Sequence, residues 1–147
     1  MIGLLIRDGR LEPASHLVRG LTWAPLSAVY ASASGLAFET AQPLAHDHGL
    51  DVSISPALKD IDGETHTQLQ QRIVAELLTL AKRHPDETIA LVTYAEPIRC
   101  ALAAFGGGSL DELLALEISP EHVSAIGITP DVRRVLSVNV PVEDIAV

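Results

Sequence analysis

The sequence predicts an α/β fold, a three-layer α/β/α sandwich with a mostly parallel sheet and an antiparallel edge. Two apolar runs, Met1–Ile6 and Thr88–Thr93, are typical of strands buried in such a sheet. Helical patterns alternate with shorter strands around them, which is the order that covers both faces of a parallel sheet. Near the end, His122–Ile128 and Val132–Val140 flank a turn and indicate an antiparallel pair. The 147 residues are expected to form a single domain, 1–147.

The first half of the chain predicts short helices and short strands. Pro13 and Gly20 interrupt the segment after the first strand, so it has room for only a short helix. A later helix opens at Ser34-Gly35 and closes at Gly49, a residue suited to the C′ position. Its inner face is expected to carry Ala37, Phe38, Ala41, Leu44 and Ala45. The elements expected here are a helix at His16–Leu21, a strand at Ser27–Ser32, the helix from Ser34 and a short strand at Val52–Ile54.

The second half predicts two longer helices on either side of the second buried run. Thr65 and Gln68 have the spacing of a capping box, so a helix is expected to begin there and to end near Arg83. Pro97 fits the first turn of the next helix, which is expected to reach Phe105. The first of these helices is amphipathic, with Leu69, Ile73, Leu77 and Leu80 on one face. The remaining features are a glycine stop at Gly106–Gly108, a short helix capped by Ser109 with Glu112 and ending near Leu116, and a turn at Thr129–Asp131.

The composition argues against several classes of function. The net charge is −9, from 19 acidic and 10 basic side chains, so nucleic acid and anionic membranes are not expected partners. The single cysteine, Cys100, leaves no internal disulfide and fits a reducing compartment. The sequence shows no leader and no apolar run near the ~20 residues that span a bilayer. A cytoplasmic location is therefore expected.

Polar residues follow three of the predicted parallel strands, where we expect a functional site. They are Arg7-Asp8-Gly9, Ser32–Ser34 and Thr93–Glu96. In open α/β sheets, ligands bind where the carboxyl ends of strands converge. Arg7 offers a fork of donors suited to phosphate, whereas the carboxylate of Asp8 repels an anion. The first strand therefore ends in one residue that favours a phosphate site and one that opposes it.

These segments resemble the histidine phosphatase superfamily, which has the phosphoglycerate mutase-like fold. Leu5–Gly9 corresponds to the family's strand running into Arg-His-Gly, and Ala31–Ala41 fits its second strand and helix. Leu58–Asp62 resembles the stretch that carries the family's acid, and Val92–Arg99 matches Val-Ser-His-Gly-x-x-Ile-Arg. Two lengths depart from the family: the first helix is short, and the lid-like insertion after Glu64 is missing. The resemblance implies a phosphoglycerate mutase-like fold over most of the chain.

The positions that match the family's catalytic residues mostly carry other side chains. The resemblance places Asp8 at the nucleophilic histidine, Leu36 at the second arginine, Asp60 at the acid and Tyr94 at the second histidine, and only Arg7 is intact. The family's phosphatase and mutase chemistry needs an imidazole that accepts the phosphoryl group and cations that spread its charge. The resemblance thus implies the fold and argues against the activity. We expect a pseudoenzyme that acts as a binding or regulatory module, without confident catalytic residues.

Two alternatives stay open. One is a weak or rewired phosphomonoester phosphatase that uses Asp8 or Asp60 with Arg7. An aspartyl phosphate formed on Asp8 would need a metal ion to offset its charge. The other is a neutral small ligand bound in a pocket lined by Leu36 and Tyr94. Arg7 and Tyr94 are the expected ligand-binding residues. No cofactor is expected; the partner is an unknown small molecule or protein, and a homodimer is a candidate assembly.

Several other polar residues are interpreted as structural. Arg7 and Asp8 are expected to pair with each other or with loop backbone. His46 and His48, two residues apart near a helix end, and the acids Asp60, Asp62 and Glu64 are interpreted as solvated, so no metal site is predicted. Ser32 and Ser34 lack a suitably placed histidine base. Cys100 is expected to be a small core residue.

Overall fold

The computed structural model describes residues 1–9, 15–33 and 35–145, which form six strands, five helices and two 3₁₀ turns. The strand order is β3-β2-β4-β1-β5-β6, with β1 to β4 parallel and β5 and β6 antiparallel to their neighbours. The predicted fold class is confirmed. The strands are β1 Ile2–Arg7, β2 Leu26–Ala31, β3 Val52–Ile54, β4 Thr88–Thr93, β5 His122–Ile128 and β6 Arg133–Pro141. The helices are α1 Ser15–Leu21, α2 Gly35–Asp47, α3 His66–Arg83, α4 Ala95–Gly106 and α5 Leu110–Leu114, and the 3₁₀ turns are Pro56–Leu58 and Val142–Asp144.

Two apolar cores lie on the two faces of the sheet. Successive side chains of a strand point to opposite faces, so Leu4 and Ile6 pack against α1 and α2. Leu5 and Leu91 lie in the other core, against α3 and α4. The central strands are buried on both faces, and this is why their sequences are continuously apolar.

The predicted capping box starts α3. The Thr65 hydroxyl accepts from the Gln68 amide at 3.1 Å, and the Gln68 side chain accepts from the Thr65 amide at 2.9 Å. All four apolar residues expected on the inner face of α3 are buried. The helix begins directly after the loop of residues 56–64, so the chain has no lid-like insertion at this point.

The carboxyl ends of β1, β2 and β4 meet at one edge of the sheet, which we call the carboxyl edge. The Asp8 amide donates to the Thr93 carbonyl at 2.9 Å, and the Ser55 amide donates to the Ala31 carbonyl at 2.9 Å. β5 runs antiparallel to β1 and begins at the same edge, where Val123 pairs with Ile6. The ends of β1, β2, β3 and β4 and the beginning of β5 therefore converge there.

One expectation on the inner face of α2 was wrong. Phe38 is half-buried, whereas Thr40 is buried. The Thr40 hydroxyl donates to the Leu36 carbonyl at 2.6 Å and accepts from the Gly9 amide at 3.1 Å. By contrast, helix α1 ends at Leu21 as predicted. Residues 56–58 form a 3₁₀ turn. Along the described ranges, no helix combines the length and hydropathy that a membrane span requires.

Candidate functional site

Arg7 ends β1 at the centre of the carboxyl edge, and its guanidinium already has protein partners. Its Nη1 donates to the Ile118 carbonyl oxygen, and its Nε lies 3.8 Å from Oδ1 of Asp8. The Arg7 side chain is 34% exposed and that of Asp8 is 16% exposed. The expected pairing of the two neighbours is therefore present as a charge contact, while the buried Nε makes no hydrogen bond to the described residues.

A second carboxylate lies beside this pair. A Cβ placed on Gly9 would come within 3.2 Å of Cγ and 3.3 Å of Oε1 of Glu121, so the Glu121 side chain lies over Gly9. The Gly9 amide donates to the Thr40 hydroxyl at 3.1 Å, which ties the strand end to α2. Asp8 and Glu121 thus place two acidic side chains close to Arg7.

Tyr94 occupies the end of β4, at the N-cap of α4. It is half-buried and packs against the core that lies under α1 and α2. Its hydroxyl is 3.3 Å from the position that a Cβ on Gly35 would take. The ring therefore reaches across the carboxyl edge to the start of α2, where Leu36 is the next residue, half-buried.

The loop of residues 56–64, which carries Asp60, is held by two other elements. The Thr93 hydroxyl donates to the Leu58 carbonyl at 2.7 Å. From α3, Arg72 donates to the Ala57 carbonyl at 2.5 Å and to the Lys59 carbonyl at 2.9 Å. The Asp60 side chain accepts from the Ile61 amide at 2.8 Å and is exposed. The loop is thus fixed while its matched acid faces solvent.

Arg72 also pairs with Glu64, which corrects the interpretation of Glu64 as a solvated residue. Both side chains are 18% exposed, and the hydrogen bond from the Arg72 guanidinium, ahead of its charge, lowers the pKa of the Glu64 carboxyl. Arg72 had not been singled out from the sequence. The sequence did offer a signal for this pair, because Arg72 follows Glu64 by eight residues and lies beyond the capping box that turns the chain into α3. Glu121 offered none, because only the placement of β5 brings it to Gly9.

Several of the described histidines contact structural partners. His48 is half-buried with Nε2 3.0 Å from the Leu21 carbonyl, so it is not the solvated residue that was expected; His46 is exposed. Nε2 of His66 lies 2.8 Å from Oε2 of Glu96, and Nε2 of His84 lies 2.7 Å from the Tyr30 hydroxyl. Among the described residues, no group of three or more His, Cys, Asp or Glu side chains could hold a metal ion. Ser32 and Cys100 are buried, and Ser34 lies outside the described residues.

Three cavities lie away from the carboxyl edge. One, of about 520 Å³, is formed by α2 and the start of β3 around Phe38 and Val52. Two others, of about 460 and 500 Å³, lie at the opposite end of the sheet around Met1 and Ile128. Among the described residues, the carboxyl edge combines the partly engaged guanidinium of Arg7 with two nearby carboxylates and a tyrosine. Such an arrangement disfavours a dianion such as phosphate.

Comparisons with known proteins agree with this architecture. The family model of the histidine phosphatase superfamily (branch 1) matches residues 61–141. YhfR from Bacillus stearothermophilus has a similar structure, with a TM-score of 0.81 and 20% identity over 92% of this chain and 95% of that one. A phosphoserine phosphatase from Entamoeba histolytica, solved with 3-phosphoglyceric acid, has a TM-score of 0.83 and 16% identity over 94% and 96%. A phosphoglycerate mutase from Bacillus anthracis has a TM-score of 0.82 and 14% identity over 95% and 93%. No curated protein sequence matches this chain.

Proposed function

Because this chain belongs to the histidine phosphatase superfamily, we propose that it is a catalytically degenerate member, one domain over residues 1–147, that serves as a non-enzymatic binding or regulatory module. The observation that carries the proposal is the carboxylate of Asp8 at the tip of β1, where the family places its phosphoryl-accepting histidine. Without that imidazole, the covalent route of the family is lost.

The surroundings of Asp8 support the proposal. In phosphoryl transfer, cationic and hydrogen-bonding groups stabilise the charge of the transferring group. Here Arg7 donates to the Ile118 carbonyl and lies near Asp8, and Glu121 lies over Gly9. The positive field that a phosphate needs is therefore opposed by two carboxylates.

The other positions that match catalytic residues of the family also support the loss of phosphoryl transfer. Tyr94 stands where the family has a second histidine, and its ring extends to the start of α2. Leu36 stands where the family has a second arginine and offers no charge. Asp60 is exposed, and its carboxylate accepts from the Ile61 amide. These substitutions disfavour the rewired phosphatase built on Asp8 or Asp60.

A phosphatase assay tests the proposal. The purified chain and its Asp8→Ala variant are assayed with para-nitrophenyl phosphate, with phosphoserine and with 3-phosphoglycerate, the last two because a structural neighbour is a phosphoserine phosphatase solved with 3-phosphoglyceric acid. We expect the two proteins to give the same background rate. Turnover by the wild type that disappears in Asp8→Ala would overturn the proposal.

A second variant checks whether the matched positions account for the missing activity. This variant carries four substitutions, which restore the residue types that the family chemistry needs. They are Asp8→His, Leu36→Arg, Asp60→Glu and Tyr94→His. Circular dichroism first establishes that it folds. Phosphatase activity above background in this variant, with none in the wild type, is the outcome that supports degeneracy at these four positions.

A further inference from the structure

The strand β6 offers a long open edge. It spans nine residues and ends the sheet in the part of the chain that the structure describes, with β5 on its inner side. The other edge strand, β3, has only three residues. At about 3.4 Å per residue, β6 is roughly 30 Å long. It therefore presents the longer row of backbone groups to a pairing strand.

The middle of this edge is apolar and uncharged. Val135 packs into the core under α3 and α4, and Val140 packs against the core under α1 and α2. Between them, Leu136 is 37% exposed and Val138 is 40% exposed, and Val132 just before the strand is 49% exposed. Natural edge strands are commonly protected by a charged residue, above all lysine. Residues 135–140 contain none. The protection that this edge does carry is backbone irregularity: the pairing with β5 shifts register on both sides of Ala125, and Asn139 has a φ of 48°.

The charges nearest the two ends of the strand have opposite signs, apart from the exposed Asp131 in the turn before it. Arg133 and Arg134 open β6, whereas Glu143 and Asp144 lie in the 3₁₀ turn that follows it. All four residues are exposed. In an antiparallel pair of identical strands, the beginning of each strand lies beside the end of the other. Both ends would then bring arginines next to acidic residues.

We propose that β6 pairs antiparallel with β6 of a second copy of this chain about a two-fold axis. The self-complementary order of charges selects this occupant, since a two-fold interface is made by the same surface on both partners. Leu136 and Val138 of the two copies lie at the centre, where they lose contact with water. Backbone hydrogen bonds between the strands continue the sheet across the dimer.

Charge reversal at one end tests the arrangement. Arg133→Glu/Arg134→Glu makes both ends of the strand acidic, and Glu143→Lys/Asp144→Lys makes both ends basic. Sedimentation equilibrium over a range of concentrations is expected to show a wild-type dimer and at least a tenfold weaker dimer for each variant. An equimolar mixture of the two variants is expected to form a heterodimer of regained affinity, because acidic ends then face basic ends at both contacts.

A matched pair of substitutions tests the place of the interface. Val138→Lys on β6 is expected to abolish the dimer. Ile54→Lys on β3, where Ile54 is 46% exposed, introduces the same charge on the other edge of the sheet and is expected to leave the dimer intact. Circular dichroism and thermal melting verify that each variant folds.

Three outcomes would overturn the proposal. The wild type could be a monomer at every concentration, or Ile54→Lys and not Val138→Lys could break the dimer. The mixture of charge-reversed variants could also fail to associate more tightly than either variant alone, which would exclude the antiparallel arrangement.

Discussion

The hydroxyl of Tyr30 lies 2.7 Å from Nε2 of His84 and joins the middle of the sheet to the end of α3. The two rings meet edge to face, with centroids 5.7 Å apart and planes at 74°. Nδ1 of His84 is 3.0 Å from Oε1 of Glu87. When Nδ1 carries the proton, it donates a hydrogen bond to Glu87, and Nε2 accepts a hydrogen bond from the Tyr30 hydroxyl. A single histidine thus links β2 to the turn that leads into β4.

Tyr30→Phe is expected to destabilise the protein by about 1 kcal/mol, the usual net value of one hydrogen bond. Tyr30 is only 6% exposed, so the variant keeps the ring packing and loses the hydroxyl contact to half-buried His84. It also loses the long hydrogen bond at 3.4 Å that the hydroxyl accepts from Nη1 of Arg83. Urea unfolding followed by circular dichroism measures the change. The control is Thr79→Val, which removes an exposed hydroxyl that bonds its own helix at Ala75. An equal loss in both variants would show that the Tyr30–His84 contact contributes nothing.

Arg72→Met is expected to loosen the loop of residues 56–64 selectively. The guanidinium donates to the Ala57 and Lys59 carbonyls and pairs with Glu64, so its loss removes several anchors at once. Hydrogen exchange measured by mass spectrometry should speed up in this loop and stay unchanged in β1 and β4. Arg72→Lys is the matched control, because lysine keeps the charge but lacks the planar fork and should restore only part of the protection. Uniform acceleration throughout the protein would contradict a local role.

The same contact gives stability a defined dependence on acid. The pKa of Glu64 is lowered from its ordinary value of 4.5, chiefly by the hydrogen bond from Arg72. A carboxyl with a lowered folded pKa stabilises the folded state above the unfolded pKa, and this contribution disappears as the pH falls through the folded pKa. Glu64→Gln should therefore be less stable than the wild type near neutral pH, and the gap should close below pH 4.5. Chemical unfolding at several pH values measures this difference in the free energy of unfolding. Glu112→Gln on α5 is the control for the loss of one exposed negative charge. A difference between the wild type and Glu64→Gln that stays constant with pH would refute the assignment.

Asp8→Asn is expected to create measurable phosphate binding at the carboxyl edge. The carboxylate lies 3.8 Å from Nε of Arg7 and repels an approaching anion, whereas an amide of similar shape does not. Millimolar phosphate should raise the melting temperature of the variant and leave the wild type unchanged. Asp51→Asn, at the exposed start of β3, makes the same change in net charge elsewhere. Equal stabilisation of the wild type and Asp8→Asn would show that Asp8 does not exclude the anion.

The sequence predicts those parts of the fold that depend on local pattern. The apolar runs of β1 and β4 and the capping box of Thr65 and Gln68 each depend on neighbouring residues, and all appear in the structure. Phe38 was misplaced because helical spacing alone does not show where the neighbouring strand ends. Local sequence patterns do not predict contacts between distant segments of the chain. The position of Glu121 over Gly9 arises only when β5 pairs with β1.

Gly20→Ala is expected to destabilise the protein by about 1–3 kcal/mol, the usual cost of an extra group in a packed contact. A Cβ on Gly20 would lie 2.7 Å from Cγ2 and 3.1 Å from the carbonyl oxygen of Val142, where α1 packs on the turn after β6. Thermal melting measures the loss. Gly106→Ala is the control, because a Cβ at that helical glycine would meet Val135 at an ordinary 3.4 Å. Val142→Ala added to Gly20→Ala removes the side-chain clash but leaves the carbonyl contact, so it should recover only part of the loss. Equal melting temperatures for Gly20→Ala and the wild type would mean that α1 does not pack closely on this turn.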